Sequence, residues 1–188
     1  MKLSLRIAAA LFASVAVLSS CGSGPALDEV RARVCEAVRD SASLNTVLYG
    51  EGLPVNKESY TGYDYYYVDI EKSDYDSIDE LKAAIAEIYT SDYCRALDES
   101  MFVGISDSIG SVLPRFREEG GMFMQDKYAS SILPGEREFD FDGMTMEKSS
   151  KNSFTVRIPA TLDGKKDADA VLTFRLEDNV WKLDSPTY

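Results

Sequence analysis

The chain has 188 residues, 32 acidic and 20 basic, for a formal net charge of −12, and it contains no histidine. An acidic surface repels phosphate backbones, which argues against nucleic acid as a partner. Without imidazole the commonest general base and metal ligand are missing, so Ser-His-Asp and Cys-His catalysis and histidine-based zinc sites are excluded; no metal and no cofactor is expected.

In chain order, Lys2 and Arg6 flank the start of an apolar run from Ile7 to Leu18, whose 12 residues are too few to span a bilayer, since a spanning helix needs about 20. Leu18-Ser19-Ser20-Cys21 closes it, followed by Gly22-Ser23-Gly24-Pro25. This is the anatomy of a bacterial lipoprotein signal peptide over residues 1–20, cleaved before Cys21, whose thiol then carries a diacylglycerol. The alternative is an ordinary secretory signal with Cys21 left as a free thiol. Two acyl chains anchor a protein stably where one does not. The expected location is therefore the extracytoplasmic face of the cell membrane. Losing Lys2 and Arg6 takes the charge from −12 to −14, and removing 20 of 188 residues leaves 168, a length that suits one domain. Residues 21–26 read as lipidated cysteine and short tether, and 27–188 as the domain. At ~3.3–3.6 Å per residue, Gly22 to Pro25 let the domain stand about 15 Å from the bilayer.

From Leu27 to about Leu48, Leu27, Val30, Val34, Val38, Leu44 and Leu48 recur at helical spacing, with Asp28 and Glu29 near the start where the helix dipole favours acid. Gly50 and Gly52-Leu53-Pro54 break the pattern. Tyr63 to Ile70 reads as a strand, Tyr65, Tyr67 and Asp69 on one face and Tyr66, Val68 and Ile70 on the other. Ser77-Ile78-Asp79-Glu80 is a capping box opening a helix with Ile78, Leu81, Ile85, Ile88 and Tyr89 on one stripe. Thr90-Ser91-Asp92 caps a shorter helical continuation through Tyr93, Cys94 and Leu97. The stretch from Met101 to Ser111 reads as irregular, Leu113 to Glu118 as a strand, and Gly120-Gly121 as the turn into Met122-Phe123-Met124.

Beyond that point the pattern is β. Phe139 and Phe141 alternate on one parity and Met144 and Met146 on the other, so Asp142-Gly143 is either a hairpin turn or a bulge that bends one long strand. Phe154, Val156, Ile158, Ala160 and Leu162 alternate strictly. Asp163 to Asp167 form a loop, and Ala170, Leu172, Phe174 and Leu176 return. Trp181 and Leu183 lie on a final strand. Helices followed by an antiparallel run of strands predict an α+β layer fold, N-terminal helices packed on a curved antiparallel sheet.

With Cys21 acylated, Cys35 and Cys94 remain, either as a disulfide suited to an oxidising compartment or as two separate small buried thiols. Arg115, between Pro114 and Phe116, is a candidate to pair with a ligand carboxylate; a salt bridge or plain exposure is the simpler reading. Tyr65 and Tyr67, within the Tyr63–Tyr67 cluster, are candidates for a sugar- or peptide-stacking face, set against a half-buried strand of high β-propensity. Glu138-Phe139-Asp140-Phe141-Asp142-Gly143 imitates a calcium loop, but with Gly143 at the sixth position the first and twelfth places hold Glu138 and Ser149 where Asp and Glu are required.

The order of elements, with Val171–Tyr188 ending in Thr173-Phe174-Arg175-Leu176 and Trp181-Lys182-Leu183-Asp184, resembles the nuclear transport factor 2-like (cystatin-like) α+β cone. Ser77-Ile78-Asp79-Glu80-Leu81-Lys82 and Leu113-Pro114-Arg115-Phe116 with Glu118-Glu119-Gly120-Gly121 are similar to segments of uncharacterised lipoproteins of Gram-positive bacteria. The resemblance implies a pocket between the helices and the concave sheet. It does not choose among enzyme, ligand pocket and interaction module, and no catalytic residue carries over, because family enzymes rely on His-Asp pairs. A related secreted or anchored group inhibits cell-wall DL-endopeptidases. Three readings follow: a non-catalytic ligand- or protein-binding module of the envelope, with the membrane and an envelope protein or peptidoglycan hydrolase as partners; an inhibitor of a DL-endopeptidase; and a hydrolase built from two carboxylates.

Overall fold

The computed structural model describes residues 24–58, 64–106 and 111–188; the signal segment, Cys21 and Tyr63 lie outside them. Gly24 and Pro25 already belong to the fold, since Ser149 Oγ donates to the Pro25 carbonyl. The tether expected from Gly22 to Pro25 is thus shortened at its domain end.

Helix α1 (Leu27–Tyr49) buries Val30, Val34, Ala37, Val38, Ser41, Leu44, Asn45 and Leu48, positions three or four apart that form one stripe. Glu29 reaches back to the Ala26 amide at its start. There follow β1 (Val55–Asn56), β2 (Tyr65–Val68), α2 (Ile78–Ile88), α3 (Ser91–Asp98), a π-helical turn (Glu99–Val103), β3 (Ile105–Ser106), β4 (Ser111–Val112), β5 (Phe116–Glu119) and β6 (Met122–Asp126). Ser77 caps α2 by accepting the Glu80 amide, as the capping box predicts, but the Glu80 carboxylate returns to Asp76 and not to Ser77. Thr90 caps α3.

The strand expected over Leu113–Glu118 is interrupted. Proline has no N–H to give a ladder, and regular pairing resumes only at Phe116. Gly120 and Gly121 both take positive φ, which lets two residues reverse the chain from β5 into β6 with Glu119 opposite Met122.

The remaining strands are β7 (Arg137–Phe139), β8 (Thr145–Ser150), β9 (Ser153–Ile158), β10 (Ala160–Leu162), β11 (Lys165–Lys166), β12 (Ala170–Glu177) and β13 (Val180–Leu183). These strands pair with one another antiparallel, in the orders β13-β12-β9-β8 and β11-β10-β7, Leu183 adding a single parallel bridge to Tyr89, while the earlier strands pair as β1-β2-β6-β5. The first two groups continue into one another. Between the pairs Phe139–Ala160 and Thr145–Arg157, one chain spends five residues and the other two. Asp142-Gly143 therefore marks a bulge in a long bent strand, not a hairpin. Pro159 sits opposite the bulge; unable to donate, it accepts from the Asp140 amide at 2.9 Å.

The result is an α+β fold. Val30, Val34 and Val38 of α1 and Leu81, Ile85 and Ile88 of α2 share one core cluster with Phe154, Val156, Ile158, Leu172, Phe174 and Leu183 of the bent sheet. Phe154 and Phe174 are cross-strand partners stacked 4.9 Å apart, and Trp181 meets Phe154 edge-on at the same distance. The end of α2 carries no basic residue of its own. Arg33 from α1 donates to the Glu87 carbonyl there and Lys182 from β13 to that of Ala86, charges that suit the negative end of a helix dipole.

Candidate functional site

Arg115 is 9% exposed. Its Nε donates to the Val47 carbonyl at 3.1 Å and Nη2 to the Gly50 carbonyl at 2.5 Å. Those oxygens lie at the C-terminal end of α1, whose last turn has no basic residue, so the guanidinium serves as that helix's distant C-terminal cation. Burial pushes its pKa down from the usual arginine value, with Asp126 opposing, yet the group stays charged. Neither a salt bridge nor open exposure, the alternatives drawn from sequence, describes it. Tyr65, also buried, donates its hydroxyl to the Pro114 carbonyl at 2.7 Å, and burial raises its pKa. Tyr67 is half-buried in the middle of the sheet, opposite Asn56 on one side and Met124 on the other. The structure thus brings Tyr65 and Arg115 to either side of Pro114 as parts of a clasp on the backbone.

Cys35 and Cys94 are half-buried, with free thiols in this structure. Burial raises the Cys94 thiol pKa, the wrong direction for a reactive thiolate.

A second polar group was not singled out from sequence. Ser41 and Thr187 hydroxyls lie 2.7 Å apart, and Asn45 Nδ2 donates to Thr187 Oγ1 at 2.9 Å. Beside them the Tyr49 and Tyr188 rings lie 4.1 Å apart, and Tyr89 stacks on Tyr93 at 4.6 Å. Burial, first among the causes, raises the phenol pKa of Tyr49, Tyr89 and Tyr93, which keeps them neutral and unsuited as bases. The cluster fastens Thr187 and Tyr188 to α1.

An open groove of about 370 Å³ lies over the bend of the long strands, lined by Glu138, Phe139, Asp140, Pro159, Ala160, Thr161, Lys166 and Asp169. No helix contributes to it, unlike the pocket the cone resemblance implies. Its apolar part is Phe139, Pro159 and Ala160; three carboxylates against one ammonium make its rim electronegative. All three carboxylates have partners inside the protein: Asp140 Oδ1 accepts the amides of Asp142 and Gly143, closing the bulge, Glu138 accepts the Thr161 hydroxyl, and Asp169 pairs with the Arg157 guanidinium at 3.6 Å. The run that imitates a calcium loop is thus a bend whose first duty is to its own backbone. Such a groove can hold a cationic group against an apolar floor. Elsewhere, Asp69 and Asp167 are held below the ordinary carboxylate range by hydrogen bonds from Lys72 and Arg137, whereas a general acid needs the opposite shift.

The hairpin of β3 and β4 leaves Val103, Val112 and Leu113 exposed at 69%, 66% and 49%. Pairing of Ile105 with Val112 brings them together.

No protein-family model matches the chain, and no curated protein matches its sequence.

Proposed function

We propose that this chain is a lipid-anchored, extracytoplasmic domain of the bacterial cell envelope that works by binding and not by catalysis. The observation that carries the reading is the start of the fold on the third residue after Cys21, where Gly24 and Pro25 are seated on Ser149 and Ser150. A domain so close to a lipobox cysteine suits a module held at the membrane. Helices laid on long strands bent about Pro159 support the nuclear transport factor 2-like (cystatin-like) cone as the finer description of the fold. The electronegative groove over the bend is the surface assigned to a ligand carrying a cationic group.

The test of anchoring is the mass of the mature amino terminus together with fractionation of a Cys21→Ser variant. A diacylglycerol-bearing Cys21 in the membrane fraction, and release of the variant, are expected. An unmodified terminus, or a variant that stays with the membrane, would refute it.

The exposed apolar group at Val103, Val112 and Leu113 favours a second reading, an inhibitor that docks on a cell-wall DL-endopeptidase. Purified domain should then slow wall hydrolysis by such an enzyme, and Val112→Asp should restore it. A carboxylate hydrolase is the reading with least support, because the shifted carboxyls Asp69 and Asp167 move the wrong way for acid catalysis.

A further inference from the structure

Gly24 and Pro25 leave the fold at a defined place. Ser149 Oγ donates to the Pro25 carbonyl at 2.8 Å, and a β-carbon on Gly24 would overlap Ser149 Oγ and the backbone nitrogen and oxygen of Ser150. The chain therefore enters over the end of β8, beside the turn at Lys151-Asn152 that leads into β9. Two residues, Gly22 and Ser23, join Gly24 to Cys21, and the three steps along the chain reach no further than about 11 Å. A diacylglycerol on Cys21 places its glycerol at headgroup level, so this turn cannot sit far from the lipid phosphates.

Charges of both signs meet at this corner: Asp28 and Glu29 open α1, and the Asn152 carbonyl, accepting the Leu176 amide, brings the Glu177-Asp178 turn alongside. The domain as a whole is acidic, but Glu147 is neutralised by Arg157, which bonds it through Nε at 2.6 Å. Lys148 and Lys151 are exposed, and among the described residues neither is in an ion pair. Helix α1 starts from the same corner, and its 23 residues carry the chain away from it by about 34 Å at ~1.5 Å per residue. The Glu51 end of the domain, near the Arg115 clasp, is therefore remote from the tether.

We infer that the turn between β8 and β9 is the bilayer-facing end of the domain, with the Lys148 and Lys151 ammonium groups at the level of the lipid phosphates. This rests on the acylation of Cys21 proposed above. It places the groove at Glu138, Asp140 and Asp169 and the clasp around Arg115 on parts of the molecule away from the anchor turn.

The test uses the mature, membrane-inserted protein in vesicles of phosphatidylethanolamine and phosphatidylglycerol, with a photo-cross-linking residue replacing Lys151 or, separately, Glu51. Several-fold more lipid adduct is expected from position 151 than from position 51; equal yields, or more from position 51, would overturn the orientation. In the same vesicles a Lys148→Glu variant should lower the adduct yield at position 151, and an unchanged yield would overturn the lysine–phosphate contact. Intact mass separates the two layers of the argument. A terminus without diacylglycerol removes both the anchor and the orientation, whereas an acylated protein that cross-links from position 51 removes the orientation alone.

Discussion

In the sheet β13-β12-β9-β8 the contacts at the centre are apolar and cross-strand: Phe154 stacked on Phe174, Trp181 against Phe154, and Leu183 opposite Phe174. In and beside the sheet β1-β2-β6-β5, buried apolar residues such as Val68, Phe116 and Phe123 are joined by polar side chains reaching for backbone. Arg115 holds the end of α1, Tyr65 holds Pro114, and the Gln125 side chain accepts the Leu53 amide at 2.7 Å. Long strands with one buried face stabilise one another by area removed from water. Short strands with broken ladders leave amides and carbonyls that must be satisfied some other way. The difference teaches that the bent sheet is held by packing alone at its centre, whereas the first sheet joins packing to a few buried hydrogen-bonding side chains.

The sharpest way to break the contrast is Phe174→Ala, which leaves a cavity between β9 and β13 and should cost about 3–5 kcal/mol in urea unfolding. Arg115→Met keeps most of the volume but removes two charge-assisted bonds; a loss of about 2–3 kcal/mol is expected. Amide exchange in the last turn of α1 should rise, while the bent sheet stays protected. If Arg115→Met were neutral, the clasp would be incidental to the first sheet's stability. Gln125→Leu strands the buried Leu53 amide and should cost about 1–2 kcal/mol by the same measurement.

Tyr49→Phe should have the smallest effect near neutrality, where the phenol is un-ionised in both states. Its folded pKa is raised, so the native state holds its proton more tightly than the unfolded chain does. The stability it contributes is present below about pH 10, the unfolded phenol value, and is lost as pH rises beyond it. Alkaline unfolding should therefore be less steep in Tyr49→Phe than in the parent, and an unchanged profile would show that this phenol does not titrate with unfolding.

Those two regions also differ in how much the sequence reveals of them. Alternation from Phe154 to Leu162 and from Ala170 to Leu176 gives strands, partners and inward faces, because one side of that sheet is buried and the other is wet. The spacing of Val30, Val34 and Val38, and the Ser77–Glu80 cap, likewise mark α1 and α2. Arg115 could not be assigned that way: its acceptors, Val47 and Gly50, lie 68 and 65 residues earlier, and a carbonyl leaves no trace in composition. The bulge at Asp142-Gly143 was visible as a parity switch, but only its pairing with Arg157 and Ala160 separates it from a hairpin. The groove depends on that same bend, so its lining residues, drawn from β7, β10 and β11 and the chain just before β12, had no common signature. A proline at 159 inside an alternating run was the one available hint.

The seat of Gly24 and Pro25 has a consequence for handling the protein. Strand β8 is the outermost of its sheet, and an outermost strand exposes amides and carbonyls that can recruit a second chain. A shortened form beginning at Leu27 would uncover that rail, leaving Ser149 and Ser150 open to pairing between molecules. Such a form should show concentration-dependent light scattering under conditions where a form beginning at Gly22 stays monodisperse.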